Sequence, residues 1–288
     1  MLVSTQTEHL ANLYGDEQAI RILAQAGYDA FDLSLFRMMH DPDYEMNQPG
    51  YREGAMHLRR VADECGIVCN QAHAPFHSST PDPDETAAIF KKIVRAIEIA
   101  SIVGAKIIIV HPKQHLRYKG NEAELKQMNL EFYRELIPYA KEFNIKIAAE
   151  NMWQYEVDHI DHSTCSRPDE FCAYLDEIDS EWIVGCLDLG HTAVVNEDIP
   201  NMIHALGPKR LQALHVHDTD FINDSHTLPF MAKMDYEAIA AALAEIGYQG
   251  DFTLEADRFL ARVPDALIPA AVKFMCQTAR YLAEKASH

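Results

Sequence analysis

KIIIVH, residues 106–111, is the clearest indication in the sequence of how the chain folds. Its four central residues are all β-branched and apolar, and buried parallel strands read as continuous apolar runs of this kind because helices cover both faces of their sheet. The residues before it, 84–103, repeat apolar side chains such as Ile93 and Ile97 with helical spacing. Gly104 then stands where a glycine C-cap is expected. The stretch therefore predicts a helix that leads into a buried parallel strand.

The same alternation continues in both directions from this stretch. Helical patterns, such as 121–143 and 264–286, separate eight strand-like runs. The predicted strands are 2–7, 30–36, 67–74, 106–111, 146–151, 183–188, 211–217 and 251–256. The rival architecture, an open doubly wound sheet, leads us to expect a glycine-rich phosphate loop after an early strand, and the sequence has none. We predict one α/β domain over residues 1–288, a (β/α)8 TIM barrel.

Composition narrows the function. The 288 residues include 25 Lys and Arg against 44 Asp and Glu, a formal charge of −19. A protein that holds DNA must neutralise phosphates, so extended nucleic-acid binding is disfavoured. No apolar run approaches the length of a membrane span, and the six cysteines lack the density of a disulfide scaffold. We therefore expect a cytoplasmic protein that does not associate with membranes.

Four predicted strands end in a side chain that can bind a metal. Glu150 ends KIAAE, Asp188 ends VGCLD, His215 lies in LQALHVHD and Glu255 ends DFTLE. The C-terminal ends of barrel strands gather the active site. Side chains of this charge crowd together only if a cation or a hydrogen-bond network compensates them. Three carboxylates and one imidazole suit a hard divalent ion, so we expect Mn²⁺, with Mg²⁺, Co²⁺ or Zn²⁺ also compatible.

Further polar and aromatic residues lie at or just beyond strand ends. His215 and His217 share one face of an alternating strand, so one is expected to bind metal and the other to support it, and we favour His215 as the ligand. Trp153 lies in a strand-to-helix loop and is expected to wall the pocket. The other candidates at the mouth are His73, His111, His191, Asp224, His226 and Arg258. For His73 and His111, a structural role as satisfied barrel-mouth histidines is equally consistent with the sequence.

The segments AHAPF, IIIVHP, AAEN, DLGH, HVHD, DSH and FTLEA together resemble the xylose-isomerase-like superfamily of TIM barrels over nearly the whole chain. By resemblance to its sugar 3-epimerases, Glu150, Asp188, His215 and Glu255 hold a divalent ion. Glu150 and Glu255 also exchange protons with a ketose, and Glu156 and His191 match substrate-binding residues of the family. These relatives carry an arginine where this chain has Phe221, so their substrates do not transfer directly. The resemblance implies a sugar isomerase or epimerase with a small sugar or sugar derivative as substrate, and a homo-oligomer is compatible with it.

Two alternative functions remain open. The endonuclease branch of the superfamily uses three zinc ions, and its ligand pattern can be traced through His73, His111, Glu150, Asp188, His191, His215, Asp224, His226 and Glu255. That pattern implies a zinc-dependent phosphodiesterase, against which the acidic composition stands. A barrel that binds sugar without catalysis is the third hypothesis, and the presence of both Glu150 and Glu255 disfavours it.

Overall fold

A closed ring of eight parallel strands forms the centre of the molecule. The computed structural model describes residues 1–287, so the final residue of the predicted domain lies outside the described residues. The strands of the ring are β1 Val3–Thr5, β2 Ala30–Ser34, β3 Val68–His73, β4 Ile107–Val110, β5 Lys146–Glu150, β8 Ile183–Asp188, β9 Leu211–His215 and β10 Phe252–Leu254, and β6 Trp153–Tyr155 and β7 Ile160–His162 lie outside it. Six of them pair in the order β2-β3-β4-β5-β8-β9. β1 pairs with β10, and bridges from Gln6 to Asp32 and from Val216 to Leu254 close the ring.

Helices connect successive strands and surround the ring. They are α1 Glu8–Tyr14, α2 Asp16–Ala26, α3 Arg37–His40, α4 Tyr51–Cys65, α5 Pro83–Val103, α6 Glu122–Phe143, α7 Pro168–Ile178, α8 Leu189–Val194, α9 Ile199–Arg210, α10 Tyr236–Glu245 and α11 Ile268–Lys285. The TIM-barrel prediction is confirmed, and each of the eight predicted strands overlaps a parallel strand of the ring. No helix within residues 1–287 is both long and apolar enough to cross a membrane.

Alternating side chains of the strands build two separate apolar regions. Ile108 and Val110 of β4 pack outward into the large core beneath the helices. Ile109 points the other way and joins Ala148, Val184 and their neighbours inside the ring. This alternation follows from the two-residue period of a strand. The interior is therefore packed, and its polar side chains collect toward one end.

Two local features differ from the sequence prediction. Residues 153–162 form an antiparallel hairpin of β6 and β7, which the apolar pattern did not predict. The last helix was predicted from residue 264, which is wrong by four residues, because Asp265–Leu267 form a 3-10 turn and the helix begins at Ile268. Pro269 lies in the first turn of α11, where a missing backbone N–H costs nothing, so the proline marks the start of the helix.

Candidate metal centre

Four strand ends bring acidic and imidazole groups to one point on the barrel axis. Glu150 ends β5, Asp188 ends β8, His215 ends β9 and Glu255 follows β10 directly. The first three are fully buried, and Glu255 is 5% exposed. One donor atom from each lies within 4.8 Å of the donor atoms of the others. In a parallel barrel every strand delivers its last residue to the same rim, which is why residues up to about a hundred positions apart converge.

His215 lies at the centre of this group. Its Nδ1 is 2.7 Å from Glu150 Oε1 and 3.3 Å from Glu255 Oε2. Its Nε2 is 3.3 Å from the carboxylate of Asp32 on β2. Gln6 Nε2 donates a 2.6 Å hydrogen bond to Glu255 Oε1. The imidazole therefore lies between Glu150 and Glu255, the two glutamates that the sequence analysis names as candidate catalytic residues.

Sequence reasoning missed Asp32 and Gln6. Both lie in predicted strands, and a charged aspartate between the apolar residues Phe31 and Leu33 was the available signal. Asp32 is fully buried, and one of its carboxylate oxygens accepts a 2.9 Å hydrogen bond from Gln71 Nε2. A buried carboxylate without a compensating partner is costly, so such a residue within a core strand indicates a polar site.

A second group of donors shares Glu150 and His215 and adds His73, with His111 alongside. The Nε2 atoms of His73 and His111 are 3.1 Å apart, and Glu150 Oε2 is 2.7 Å from the Nε2 of His111. His73, Glu150 and His215 each offer a donor atom within 4.8 Å of the others. Glu150 Oε2 is buried and has no hydrogen-bond partner among residues 1–287. Two ring nitrogens, which hydrogen-bond to each other, thus converge with a carboxylate oxygen that they leave unpartnered.

A third group lies nearer the mouth and consists of His191, His217, Asp224 and His226. His226 Nε2 is 3.0 Å and His191 Nε2 is 3.8 Å from Asp224 Oδ2. The rings of His217 and His226 stack with centroids 4.0 Å apart. His217 also contacts both carboxylate oxygens of Asp188 at 3.1 Å, which links this group to the first.

The polypeptide around Asp188 holds these groups in register. Asp188 is the N-cap of α8, and its carboxylate accepts a hydrogen bond from the backbone N–H of His191. Asn151 Oδ1 accepts from the backbone N–H of Asp188, and its Nδ2 donates to the Asp188 carbonyl and to Thr192. The Asn151 carbonyl lies 2.9 Å from His191 Nδ1. With Nδ1 donating there, the Nε2 of His191 is left facing Asp224.

Gly190 allows the close packing of the DLGH segment. A Cβ atom at this position would lie 2.0 Å from Cε1 of His217. No side chain fits that gap, so an alanine would displace the imidazole from Asp188. The glycine is therefore a steric requirement of the site.

The surroundings of the buried carboxylates shift their pKa values in different directions. Burial opposes ionisation of Glu150, but attraction to His215 and His111 outweighs it and lowers the pKa of Glu150 well below its usual range. Burial raises the pKa of Glu255 well above its usual range, and its nearby histidines only partly offset this. Burial opposes ionisation of Asp188, but attraction to His191 and His217 outweighs it and lowers the pKa of Asp188 to about 2. Burial lowers the pKa of His111 to about 4, which leaves its ring neutral and able to bind a metal.

These donors fit divalent metal ions. Carboxylate oxygens and imidazole nitrogens are the ligands that Mn²⁺, Co²⁺ and Zn²⁺ accept, and buried polar atoms normally have partners. Glu150 Oε2, Asp224 Oδ1 and His217 Nδ1 have none among the described residues. The buried clusters could therefore hold a divalent metal.

A cavity of about 530 Å³ opens onto these groups. Trp153, Phe36 and Phe76 line it, and Trp153 lies 6.2 Å from His191 between ring centroids. Arg258 also lines it and donates to the carbonyl of Asp224. Glu156 does not join the cavity wall, because its carboxylate pairs with Arg117 at 2.8 Å on the outer part of the hairpin.

Comparison with known proteins agrees with this fold. The pattern described as xylose isomerase-like TIM barrel matches residues 20–278. An uncharacterized protein of Sinorhizobium fredii is 24% identical over 269 residues, which are 85% of this chain and 83% of that protein. An uncharacterized protein of Methanocaldococcus jannaschii is 24% identical over 189 residues, 64% of this chain and 62% of that protein.

Solved structures of sugar epimerases share the architecture. A D-tagatose 3-epimerase-like protein superimposes with a TM-score of 0.74 at 19% identity and covers 99% of both chains. A D-psicose 3-epimerase crystallised with D-fructose gives 0.75 at 14% identity, with 98% of this chain and 99% of that chain covered. The 3-keto-D-glucoside 4-epimerase of E. coli gives 0.73 at 16% identity over 99% of both chains. At such identities the likeness concerns the fold. The match over residues 20–278, on a barrel with this topology, places the chain in the xylose isomerase-like TIM barrel family.

Proposed function

We propose that this protein is a divalent-metal-dependent isomerase or epimerase of a ketose or keto-polyol. The observation that carries the proposal is the approach of Glu150 and Glu255 to one imidazole, at 2.7 and 3.3 Å from His215 Nδ1. Two carboxylates at one buried point can remove and return a proton on a bound substrate, whereas a binding protein needs no such pair. The epimerase names of the structural neighbours support the same choice.

In this proposal Glu150 and Glu255 would transfer the proton. A carbon-bound proton beside a carbonyl is weakly acidic, and an ionised carboxylate within reach serves as its base. Their surroundings lower the pKa of Glu150 and raise that of Glu255, so the two carboxylates differ in their affinity for a proton. Gln6 occupies Glu255 Oε1, so Glu255 Oε2 is the oxygen left to carry a proton.

Glu150, Asp188, His215 and Glu255 would hold the cofactor, for which we propose Mn²⁺. A bound dication supplies positive charge that stabilises the anionic form of the substrate. His73, His191 and Trp153 line the cavity and would orient the sugar, with the indole packing against its apolar face.

Metal content and proton exchange together test this proposal. Wild type, Glu150→Gln and Glu255→Gln would be loaded with Mn²⁺, and the metal per chain would be counted by mass spectrometry. Incubation with ketohexoses in D₂O then reports deuterium incorporation at carbon by NMR. We expect bound metal and exchange in wild type, and a loss of exchange of at least about 100-fold in both variants. Glu181→Gln, an exposed change of the same kind, is the matched control.

Two results would contradict the proposal. Deuterium exchange at carbon that persists in both variants would mean that the two glutamates do not transfer the proton. Full metal binding in wild type without deuterium exchange on any ketohexose or keto-polyol would mean that the protein lacks the proposed isomerase or epimerase activity.

A multinuclear phosphodiesterase is the second candidate, favoured by one specific observation. The three donor groups contact each other through Glu150, His215 and the His217–Asp188 pair. Zinc ions held by all three groups would supply hydrolytic chemistry on phosphate esters. Two or three Zn²⁺ per chain, with cleavage of bis(4-nitrophenyl) phosphate and no carbon-bound exchange, would select this candidate.

A further inference from the structure

A chain of hydrogen-bonded polar side chains crosses the interior of the ring beside the candidate metal centre. It runs from Ser4 on β1 and Thr253 on β10 through Gln71 on β3 to Asp32 on β2, and it ends at His215 on β9. None of these five residues is more than 3% exposed. Bulky apolar side chains usually fill a barrel interior, so a polar chain of this length indicates a place where hydrogen-bond geometry matters.

The hydrogen bonds of this chain have one direction. The Thr253 hydroxyl accepts a 3.3 Å hydrogen bond from Asn70 Nδ2 and a 2.8 Å hydrogen bond from the Ser4 hydroxyl. Its own single proton is donated to Gln71 Oε1 at 3.1 Å. That contact fixes which way the Gln71 amide faces, and Gln71 Nε2 then donates a 2.9 Å hydrogen bond to Asp32 Oδ2. Asp32 is therefore held by a donor whose orientation is set two strands away.

The same oxygen of Asp32 faces the metal centre. Asp32 Oδ2 lies 3.3 Å from His215 Nε2, and Asp32 Oδ1 has no hydrogen-bond partner among residues 1–287. A buried carboxylate without compensating donors is costly, so a proton on His215 Nε2 stabilises Asp32.

The contacts at its two ring nitrogens select one orientation of the His215 imidazole. Nδ1 lies 2.7 Å from Glu150 Oε1 and 3.3 Å from Glu255 Oε2, while Nε2 faces Asp32. A flip of the ring by 180° would place carbon atoms against Asp32 and Glu150 instead of nitrogens. The ring is therefore fixed with Nδ1 toward the two glutamates.

We infer that Asp32 is a positioning residue that keeps Nδ1 of His215 available to the metal, and that Thr253 and Gln71 hold Asp32 in place for this role. This inference rests on the metal site of the proposed function and does not depend on the substrate. A carboxylate that accepts the second N–H of a ligating histidine fixes the nitrogen that binds the metal and strengthens the bond.

Mn²⁺ affinity measured by isothermal titration calorimetry tests the role of Asp32. Asp32→Ala should weaken binding by about 10- to 100-fold, because the Nε2 proton loses its acceptor. Asp32→Asn still presents one oxygen to His215 and Gln71, so it should weaken binding by less than Asp32→Ala does. Asp82→Ala is the matched control, since it makes the same substitution and removes the exposed N-cap of α5, which lowers stability without contacting the centre. We expect its Mn²⁺ affinity to equal that of wild type.

Two variants of Thr253 separate hydrogen bonding from packing. Thr253→Val keeps the shape of the side chain and removes the hydroxyl, so Gln71 loses its donor. Thr253→Ser keeps the hydroxyl and loses a methyl group. We expect Thr253→Val to weaken Mn²⁺ binding by about three- to tenfold, as for the loss of one hydrogen bond, and Thr253→Ser to weaken it less. The opposite order would mean that Thr253 acts only through packing, which overturns its part in the inference.

A nuclear magnetic resonance spectrum identifies the nitrogen that binds the metal. The protein would carry ¹⁵N-labelled histidine and diamagnetic Zn²⁺, and the His215 signal is the one absent from His215→Gln. We expect metal-bound Nδ1 and a slowly exchanging proton on Nε2 in wild type, and faster exchange of that proton in Asp32→Ala. Zn²⁺ bound through Nε2 of His215 would overturn the inference.

The remaining outcomes distinguish this inference from the proposed function. Wild-type Mn²⁺ affinity in folded Asp32→Ala overturns the inference and leaves the isomerase or epimerase proposal standing. Weakened affinity in Asp32→Ala, together with no deuterium exchange in wild type, supports the inference while contradicting the catalytic proposal. Wild type that binds neither Mn²⁺ nor Zn²⁺ overturns both. If Asp32→Ala does not fold, the order of the Thr253 variants and the spectrum of wild type decide the question.

Discussion

Asn151 shows how a residue that binds no ligand itself can set the geometry of the site. Its side chain contacts both backbone polar groups of Asp188 and the hydroxyl of Thr192, and its carbonyl lies beside the ring of His191. All of these contacts are buried. Removing the amide would leave buried polar groups unpaired and release Asp188 from its position.

We therefore expect Asn151→Ala to weaken Mn²⁺ binding by about 10- to 100-fold and to lower the free energy of unfolding by about 1–3 kcal/mol. Calorimetry and urea unfolding measure the two effects. Asn201→Ala, at an exposed position of α9, should change neither. A variant that loses stability but keeps full metal affinity would contradict the positioning role.

Glu170 offers a pH test away from the metal centre. It lies in the first turn of α7, and burial raises its pKa to about 7. In the part of the chain that the structure describes, its buried Oε2 has no hydrogen-bond partner. An acid with a raised folded pKa binds more protons when folded than when unfolded. The folded protein therefore loses stability as the pH rises from about 4.5 to about 7.

Glu170→Gln should remove this loss. Relative to wild type, the variant should gain about 1–3 kcal/mol in unfolding free energy between pH 5 and pH 8, since each pKa unit corresponds to about 1.4 kcal/mol. Urea unfolding at both pH values measures the difference. The idea fails if the two proteins show the same pH dependence.

Among the elements, the β6–β7 hairpin has the clearest link to function. Gln154 fastens it to the segment after β4, because its Oε1 accepts from the backbone N–H of Tyr118 and its Nε2 donates to the carbonyls of Gln114 and Leu116. The adjacent Trp153 lines the cavity. The hairpin therefore holds the indole over the site from outside the barrel.

Gln154→Ala should loosen the attachment of the hairpin that carries Trp153 and leave the candidate metal-binding side chains in place. We expect KM for the sugar to rise by about tenfold with a smaller change in kcat, since the indole contributes to binding more than to proton transfer. Mn²⁺ affinity should stay at the wild-type value. Gln127→Ala on the exposed face of α6 is the control, and a loss of metal affinity in Gln154→Ala would contradict the assignment.

The strands of the ring were predictable and the hairpin was not, for a physical reason. A strand such as β4 is buried on both faces, so its sequence must be apolar throughout. β6 and β7 are three residues each, and most of their side chains are partly exposed. Exposure removes the constraint on residue type, and a short strand leaves no period to detect.

For the molecule as a whole, metal binding should be linked to stability. Closing the ring brings Glu150, Asp188 and Glu255 together in a buried site, where carboxylates repel unless a cation compensates them. Mn²⁺ at about 100 times its dissociation constant should stabilise the folded state by about 2.7 kcal/mol. The melting temperature with excess Mn²⁺, compared with that after chelation, measures this. Glu150→Gln should lose most of the difference, and an unchanged melting temperature in wild type would contradict the metal site.

The charge of the whole chain makes a separate prediction. With a formal charge of −19, the protein should not bind a short DNA duplex at about 150 mM salt, because too few cations are available to replace the counterions of the phosphates. Fluorescence anisotropy of a labelled duplex measures this. Binding with a dissociation constant below about 1 µM would favour the phosphodiesterase candidate instead.

The barrel and the residues at its strand ends could be predicted from the amino-acid sequence alone. Apolar period and helix ends are local properties, so KIIIVH and its counterparts reveal strands without any knowledge of the rest of the chain. Other features of the site depend on how distant segments pack together. That Gln6 and Asp32 lie beside Glu255 and His215, and that Glu156 pairs with Arg117, both depend on contacts between distant segments. Such contacts form only when the ring closes, and the pattern of residue types along the chain gives no information about distances across the ring.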